Sequence, residues 1–350
     1  MKGGRGLIPP NLSSIKSKGE IEMFGKSNIK WRMGLAVLVM CAALFMTALP
    51  AAANYTADKP LTTYASGTIT GDMNYTIGNS SYSSKMWSND TNNLYTVSIT
   101  ETTETVVLGR LYVYWTWSYL NDTKTGVDAV MNVTFNGNLL ALDDSYTDRK
   151  GSGTYDYPSG TYAYNVTDYI STGTNTYAVK VNNTYGSDVN QTFNIQGVGL
   201  LTLDNESGEP TKFYWIAEGN DLTYVKYDNT TTYSWKNNIT PDDATALANF
   251  TGVNATGVTS ANLTTVVPSG GTPYNRLYVN YFFNYWGIKY WDGLWNATPY
   301  ADLSWNKTDV KDNLKDGTNY VGFQNGLYTM LPDNSEGQMQ AANAFLLVKK

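Results

Sequence analysis

From residue 54 onward, apolar and polar positions alternate with a period of two. Leu111, Val113, Trp115 and Trp117 alternate with Arg110, Tyr112, Tyr114 and Thr116. Side chains along a strand point to opposite faces in turn. This stretch therefore reads as a strand, apolar enough on both faces to be central in its sheet. Residues 127–135 end in the same alternation, with Met131, Val133 and Phe135 inward and Asn132 and Thr134 outward. Asn136-Gly137 follows as a two-residue hairpin turn. Tyr162, Tyr164, Tyr177, Val179 and Val181 continue the pattern, and residues 344–350 read as a final strand. Helical periodicity is confined to short turns expected at residues 242–250 and 308–314. Regularly spaced short strands between Gly, Asn, Asp and Ser clusters predict an all-β fold of antiparallel, jelly-roll-like sandwiches.

The pattern recurs within the chain. Arg110-Leu111-Tyr112-Val113 returns as Arg276-Leu277-Tyr278-Val279. The segment from Tyr164 through Asn165 and Asp168 to Gly173 returns from Trp305 through Asn306 and Asp309 to Gly317. Gly199-Leu200-Leu201 has a counterpart in Phe345-Leu346-Leu347. Polar and Gly/Pro residues cluster at 204–210. The reading is an N-terminal segment at 1–53, then tandem sandwiches at 54–207 and 208–350.

The N-terminal segment has the marks of export. Lys26, Lys30 and Arg32 precede an apolar run at 33–49, and Ala51 and Ala53 form an A-x-A cleavage signature. A mature chain starting at Asn54 is expected. The same run is long enough to hold an uncleaved chain in a membrane. Met23 is an alternative start. Cys41, the single cysteine, lies inside the run and lacks the small residues that precede a lipid-modified cysteine.

Beyond residue 53 there is no Cys or His. That excludes a Ser-His-Asp triad, a cysteine nucleophile and a His-based zinc site there. Carboxylate-pair chemistry is left open, and the expectation is that the protein is not an enzyme. The same residues carry 17 basic and 28 acidic side chains, a net charge of −11. Such a surface disfavours nucleic acid and anionic lipid as partners.

Seventeen N-x-S/T sequons follow the signal: Asn54, Asn74, Asn79, Asn89, Asn121, Asn132, Asn165, Asn182, Asn190, Asn205, Asn229, Asn238, Asn249, Asn254, Asn262, Asn296 and Asn306. With 34 Asn, and 62 Ser or Thr in 297 residues, random placement gives about 7. The excess predicts a secreted, glycosylated surface protein, with glycans covering sheet edges and outward faces.

Order and spacing of several motifs resemble a known family. They are the run from Gly109 to Ser118, Phe135-Asn136-Gly137, the run from Tyr157 to Asp168, the run from Gly197 to Leu201, the run from Tyr214 to Asp221, and the run from Asn343 to Val348. Together they look like a domain-of-unknown-function family of secreted and surface proteins from methanogenic archaea. The resemblance covers residues 60–350. It implies an archaeal envelope or extracellular protein built of β-sandwiches and no established activity; other envelope proteins, glycans or further copies of the chain are the expected partners. Many members carry further modules or an anchoring segment, whereas this chain ends with the domain.

Two clusters point to ligands. Asp143, Asp144 and Asp148 lie close in sequence, and Glu218 and Asp221 follow an aromatic strand; Asp242-Asp243 is a third acidic pair. Hard oxygen donors of this kind suit Ca²⁺, although no EF-hand spacing is present, and turn-capping acids are the alternative. Trp286, Tyr290, Trp291 and Trp295 fall between Asn262 and Asn296, the longest gap between successive sequons. They are expected either to stack on sugars at a surface or to pack in the core. The leading expectation is a noncatalytic structural or adhesive envelope glycoprotein. A carbohydrate-binding module and a calcium-stabilised adhesin are the alternatives.

Overall fold

The computed structural model describes residues 56–88, 93–118, 126–151, 156–185, 192–226, 239–271, 273–280, 290–296, 302–327 and 337–350. The export segment, sequons Asn54, Asn89, Asn121, Asn190, Asn229 and Asn238, and Trp286 lie outside them. From residue 54 onward the chain forms one compact unit.

The described residues contain strands, two short 3-10 turns and no α-helix. In chain order the strands are β1 (Thr62–Thr76), β2 (Met86–Trp87), β3 (Leu94–Thr103), β4 (Thr105–Thr116), β5 (Met131–Phe135) and β6 (Asn138–Leu139). Next come β7 (Asp144–Asp148), β8 (Ser159–Asn165), β9 (Gly173–Asn183), β10 (Thr192–Asn205), β11 (Thr211–Thr223) and β12 (Thr245–Val253). The last are β13 (Ser260–Pro268), β14 (Asn275–Val279), β15 (Tyr290–Asp292), β16 (Leu303–Asp309), β17 (Gly317–Asn325) and β18 (Met339–Lys349).

Ten strands make one sheet in the order β16-β13-β18-β11-β1-β10-β4-β8-β7, with β2 added to β10. Two four-stranded sheets, β3-β9-β5-β6 and β12-β17-β14-β15, complete the fold. β1 joins the halves of the large sheet. Residues 62–70 pair with β11, and residues 71–76 pair with β10. At that switch, a Cβ on Gly71 would lie 1.9 Å from the Asp204 carbonyl oxygen, so the close approach admits only glycine.

Three hydrophobic layers follow. The first half of the chain packs Leu111, Val113 and Trp115 of β4 against Val133, Phe135, Tyr177 and Val179 of its outer sheet. The second half packs Leu263 and Leu346 against Phe250, Leu277 and Phe323. Between them lies a third layer, where Tyr112, Tyr114, Leu201, Ile216, Phe345 and Leu347 meet. Tyr112 stacks on Phe345 at 5.9 Å between centroids. Both faces of β4 are thus buried, as its two-sided apolar pattern predicts. The Asn136-Gly137 turn has φ of 49° and 83°, the left-handed pair a type I′ hairpin demands.

One local expectation changes and one is met. Residues 242–250 form a turn and then enter β12 instead of a short helical turn, because alternate residues Ala246, Ala248 and Phe250 are buried. Residues 308–314 end β16 and make the expected short helical turn as a 3-10 turn at Lys311–Asn313.

The internal repeat is present in three dimensions, but in a different register. The two 3-10 turns follow Val166 (φ −121°, ψ 14°) and Val310 (φ −119°, ψ 11°). Asn165 Oδ1 accepts the Thr167 amide at 3.0 Å, and Asp309 Oδ1 accepts the Lys311 amide at 3.0 Å. Asn165 therefore matches Asp309, not Asn306. Likewise β4 lies in the large sheet and β14 in an outer one. The shared Arg-Leu-Tyr-Val string is not a structural equivalence; β14 corresponds to β5, and β13 to β4.

Candidate functional site

A polar seam runs through the layer between the two halves. Arg110, fully buried on β4, is its centre. Its Nε donates to Glu218 Oε1 at 2.8 Å and its Nη2 to Glu218 Oε2 at 2.9 Å, the planar fork matching the carboxylate. Arg110 also donates to Asp143, and to Asp144 at 2.6 Å. The Tyr64 ring lies 3.9 Å from its guanidinium carbon. Tyr112 and Tyr146 donate their hydroxyls to Glu218 at 2.8 and 3.1 Å. Burial alone favours a neutral guanidine, but the hydrogen bonds and charge of Glu218 outweigh it and raise the Arg110 pKa. Burial, then the negative charge of Glu218, push the Tyr112 hydroxyl well up.

The oxygens of Asp143, Asp144 and Glu218, candidate metal ligands by sequence, converge on the Arg110 guanidinium, which supplies a positive charge there. Asp148 and Asp221 belong elsewhere, and with Asp58 they place carboxylate oxygens within 4.8 Å of one another.

A backbone irregularity makes this division. The β11–β18 register slips by one residue between Glu218 and Asp221. In a regular strand, residues three apart face opposite ways. With the bulge, both carboxylates reach the first half, Glu218 to Arg110 and Asp221 to Asp148.

Asp148 is buried and accepts the Leu222 amide at 2.8 Å, and Lys59 Nζ lies 3.0 Å from its other oxygen. Burial raises its pKa; the Leu222 amide and the Lys59 charge oppose this. Asp221 is fully buried, and neither oxygen accepts a well-aligned hydrogen bond, although the backbone amides of Lys59 and Asp58 approach it. Burial and then the Asp148 charge raise its pKa strongly; the leaning amides of Lys59 and Asp58 offset only part of that.

The aromatic set disperses. Trp295, a ring expected either at a sugar-binding surface or in the core, is fully buried. It stacks on Phe323 at 5.4 Å and donates its indole N–H to Thr265 Oγ1 at 2.9 Å. Trp291 packs partly against the same core. Tyr290 is exposed, but the Arg276 guanidinium covers its face at 3.8 Å while chelating Asp292. The acidic pair Asp242-Asp243 serves the turn before β12: Asp243 Oδ2 accepts the Thr240 amide at 2.9 Å.

Of the described sequons, Asn79, Asn132, Asn165, Asn205, Asn249, Asn254 and Asn296 are exposed. Asn74, Asn182, Asn262 and Asn306 are half-buried, and none is buried.

Sequence reasoning missed Arg110, Tyr64, Tyr112 and Tyr146 as seam residues, and Asp58 beside Asp148 and Asp221. Arg110 carried a signal, since a charge in a strand apolar on both faces needs a buried counter-charge. Asp58 carried none, because it precedes the first strand.

The family described as "Protein of unknown function (DUF3344)" matches residues 54–349. No curated protein sequence matches the chain. Among solved structures, a peptide-N(4)-(N-acetyl-beta-D-glucosaminyl) asparagine amidase is similar at 12% identity and TM-score 0.26, over 82% of this chain and 96% of that one. An alpha-L-rhamnosidase from Streptomyces avermitilis is similar at 14% identity and TM-score 0.19, over 82% of this chain and 28% of that one. Likenesses this distant carry no inference about activity.

Proposed function

This chain belongs to the DUF3344 family of proteins of unknown function, and we propose that it is a noncatalytic secreted glycoprotein, a structural or adhesive part of an archaeal cell envelope. The observation that carries this reading is the placement of the sequons: every described one has an exposed or half-buried Asn. A glycan needs an Asn that reaches solvent. Few of them sit on sheet edges. Asn249 lies on edge strand β12 and Asn306 on edge strand β16. Others lie on an inner strand or at strand ends, as Asn132 on β5 and Asn165 at the end of β8. The glycans then coat outer faces and turns more than edges. Lacking Cys and His beyond residue 53, the exported part relies on a continuous sheet and a buried ionic seam for its rigidity.

The test is glycopeptide mass spectrometry on envelopes isolated from the native host, with antibody labelling of intact cells. Occupied Asn132, Asn165 and Asn249 in a surface-labelled protein are expected. Unmodified sequons, or a protein confined to the cytoplasm, reject the reading.

A further inference from the structure

Three segments distant in sequence bring carboxylates together beside the Arg110 seam. Asp58 comes from the segment before β1, Asp148 from the end of β7, and Asp221 from β11 just past its bulge. The segment before β1 is held in place by its own hydrogen bonds. The Ala57 amide donates to the Leu222 carbonyl at 3.3 Å, the Tyr224 amide to Thr56 Oγ1 at 3.0 Å, and the Leu61 amide to the Leu247 carbonyl at 2.7 Å.

Charge at this point does not balance. Three carboxylates face one ammonium, Lys59, which is half-exposed and also donates to the Thr147 carbonyl at 2.7 Å. Asp221 is the decisive member. It is wholly buried, neither oxygen has a well-aligned hydrogen bond beyond the approach of the Lys59 and Asp58 amides, and it lies against Asp148. A buried carboxylate without hydrogen bonds is among the costliest groups a fold can hold, unless a cation or a proton meets it. Asp148 and Asp58 keep free lone pairs, since each carboxylate offers about four acceptor positions. A cleft of about 230 Å³, lined in part by Lys59, Asp128, Thr147, Asp148 and Arg149, lies beside the cluster.

We propose that Asp58, Asp148 and Asp221 form a binding site for a hard divalent cation of the calcium type, which ties the N-terminal segment to β7 and β11. Oxygen-only ligands, irregular spacing and room for waters suit Ca²⁺ more than the strict octahedron of Mg²⁺. The ion neutralises the two excess negative charges and supplies the partner Asp221 lacks. It joins the first half, through Asp148, to the second, through Asp221. The site stands independently of the envelope reading, because it rests on the cluster alone.

The test is calorimetric titration of the purified, chelator-stripped protein with CaCl₂, with thermal denaturation followed in parallel with CaCl₂ and with MgCl₂. One Ca²⁺ per chain and a Tm rise of several degrees are expected, with Mg²⁺ giving a clearly smaller shift. Asp58→Asn, at an exposed position outside the strands, retains the fold and loses at least tenfold in Ca²⁺ affinity. Asp221→Asn abolishes the shift, while Asp143→Asn leaves it intact. If Asp221 is instead met by a proton, Asp221→Asn is as stable as the wild type and Ca²⁺ changes nothing in either. That result overturns the proposal, as does Ca²⁺ binding that Asp58→Asn and Asp221→Asn leave unchanged, or an equal response to Mg²⁺.

Discussion

Arg110 and Glu218 lie on different halves of the chain, both fully buried, and meet through two parallel hydrogen bonds of 2.8 and 2.9 Å. The pair fixes how β4 faces β11. Two charges buried together are not necessarily a net gain over apolar residues, but one left alone is a large loss. Arg110→Met is therefore expected to cost about 3–5 kcal/mol, because Glu218 stays buried without its partner. The double variant Arg110→Met with Glu218→Leu should recover a substantial part of that loss. Urea denaturation of the two variants and the wild type measures it; equal losses in the single and double variants would show that packing, not charge, governs the seam.

Trp295 provides the clearest check on the aromatic segment. As a buried ring stacked on Phe323, its replacement by Ala should cost about 3–5 kcal/mol through lost contacts and a cavity. Tyr290→Ala should stay within about 1 kcal/mol of the wild type, since Tyr290 is exposed and loses chiefly its contact with Arg276. Thermal or denaturant melts of both separate a core ring from a surface one.

Gly71→Ala tests the joint in the large sheet. The added methyl would sit 1.9 Å from the backbone oxygen of Asp204, which cannot swing aside as a side chain can. A loss of roughly 2 kcal/mol or more is expected from overpacking. Gly67→Ala, which meets only the Tyr214 side chain at 3.1 Å, should be milder. Comparable melting temperatures for the two would locate the constraint elsewhere.

Asp302 gives the fold a pH response. It accepts Gln196 Nε2 at 3.0 Å across the two halves, yet burial raises its pKa against those hydrogen bonds. A carboxylate whose pKa is raised on folding binds its proton more readily in the folded state. Stability therefore falls as pH rises from the unfolded towards the folded value. Tyr82, whose pKa is pushed up to about 12 by burial and then by Asp302, stays neutral in this window. Asp302→Asn should flatten the melting temperature between pH 7 and mild acid relative to the wild type. Parallel pH profiles for the two proteins would reject the assignment.

Local chemistry was legible without coordinates. Alternation in residues 110–117 marked β4 as a strand buried on both faces, although Trp117 lies past its end and is exposed, and Asn136-Gly137 marked a hairpin, because strand period and φ > 0 preferences are properties of a few adjacent residues. The acids of the seam were visible as well, but their grouping was not. Glu218 and Asp221 are three positions apart, and only the slip of β11 against β18 sends one to Arg110 and the other to Asp148.

The sequence by itself determined the all-β class, the chemical inventory and the doubling of the pattern. Tertiary structure decided the register of that doubling. Asn165 and Asp309 match because the side chain of each accepts the first amide of a 3-10 turn. The shared Arg-Leu-Tyr-Val string misleads because identical alternation serves a central strand in one half and an outer sheet in the other. It also decided that Trp295 is core and that Arg110, not a metal, gathers Asp143, Asp144 and Glu218. Burial and charge pairing depend on which distant strands meet, and period-two patterning carries no information about that.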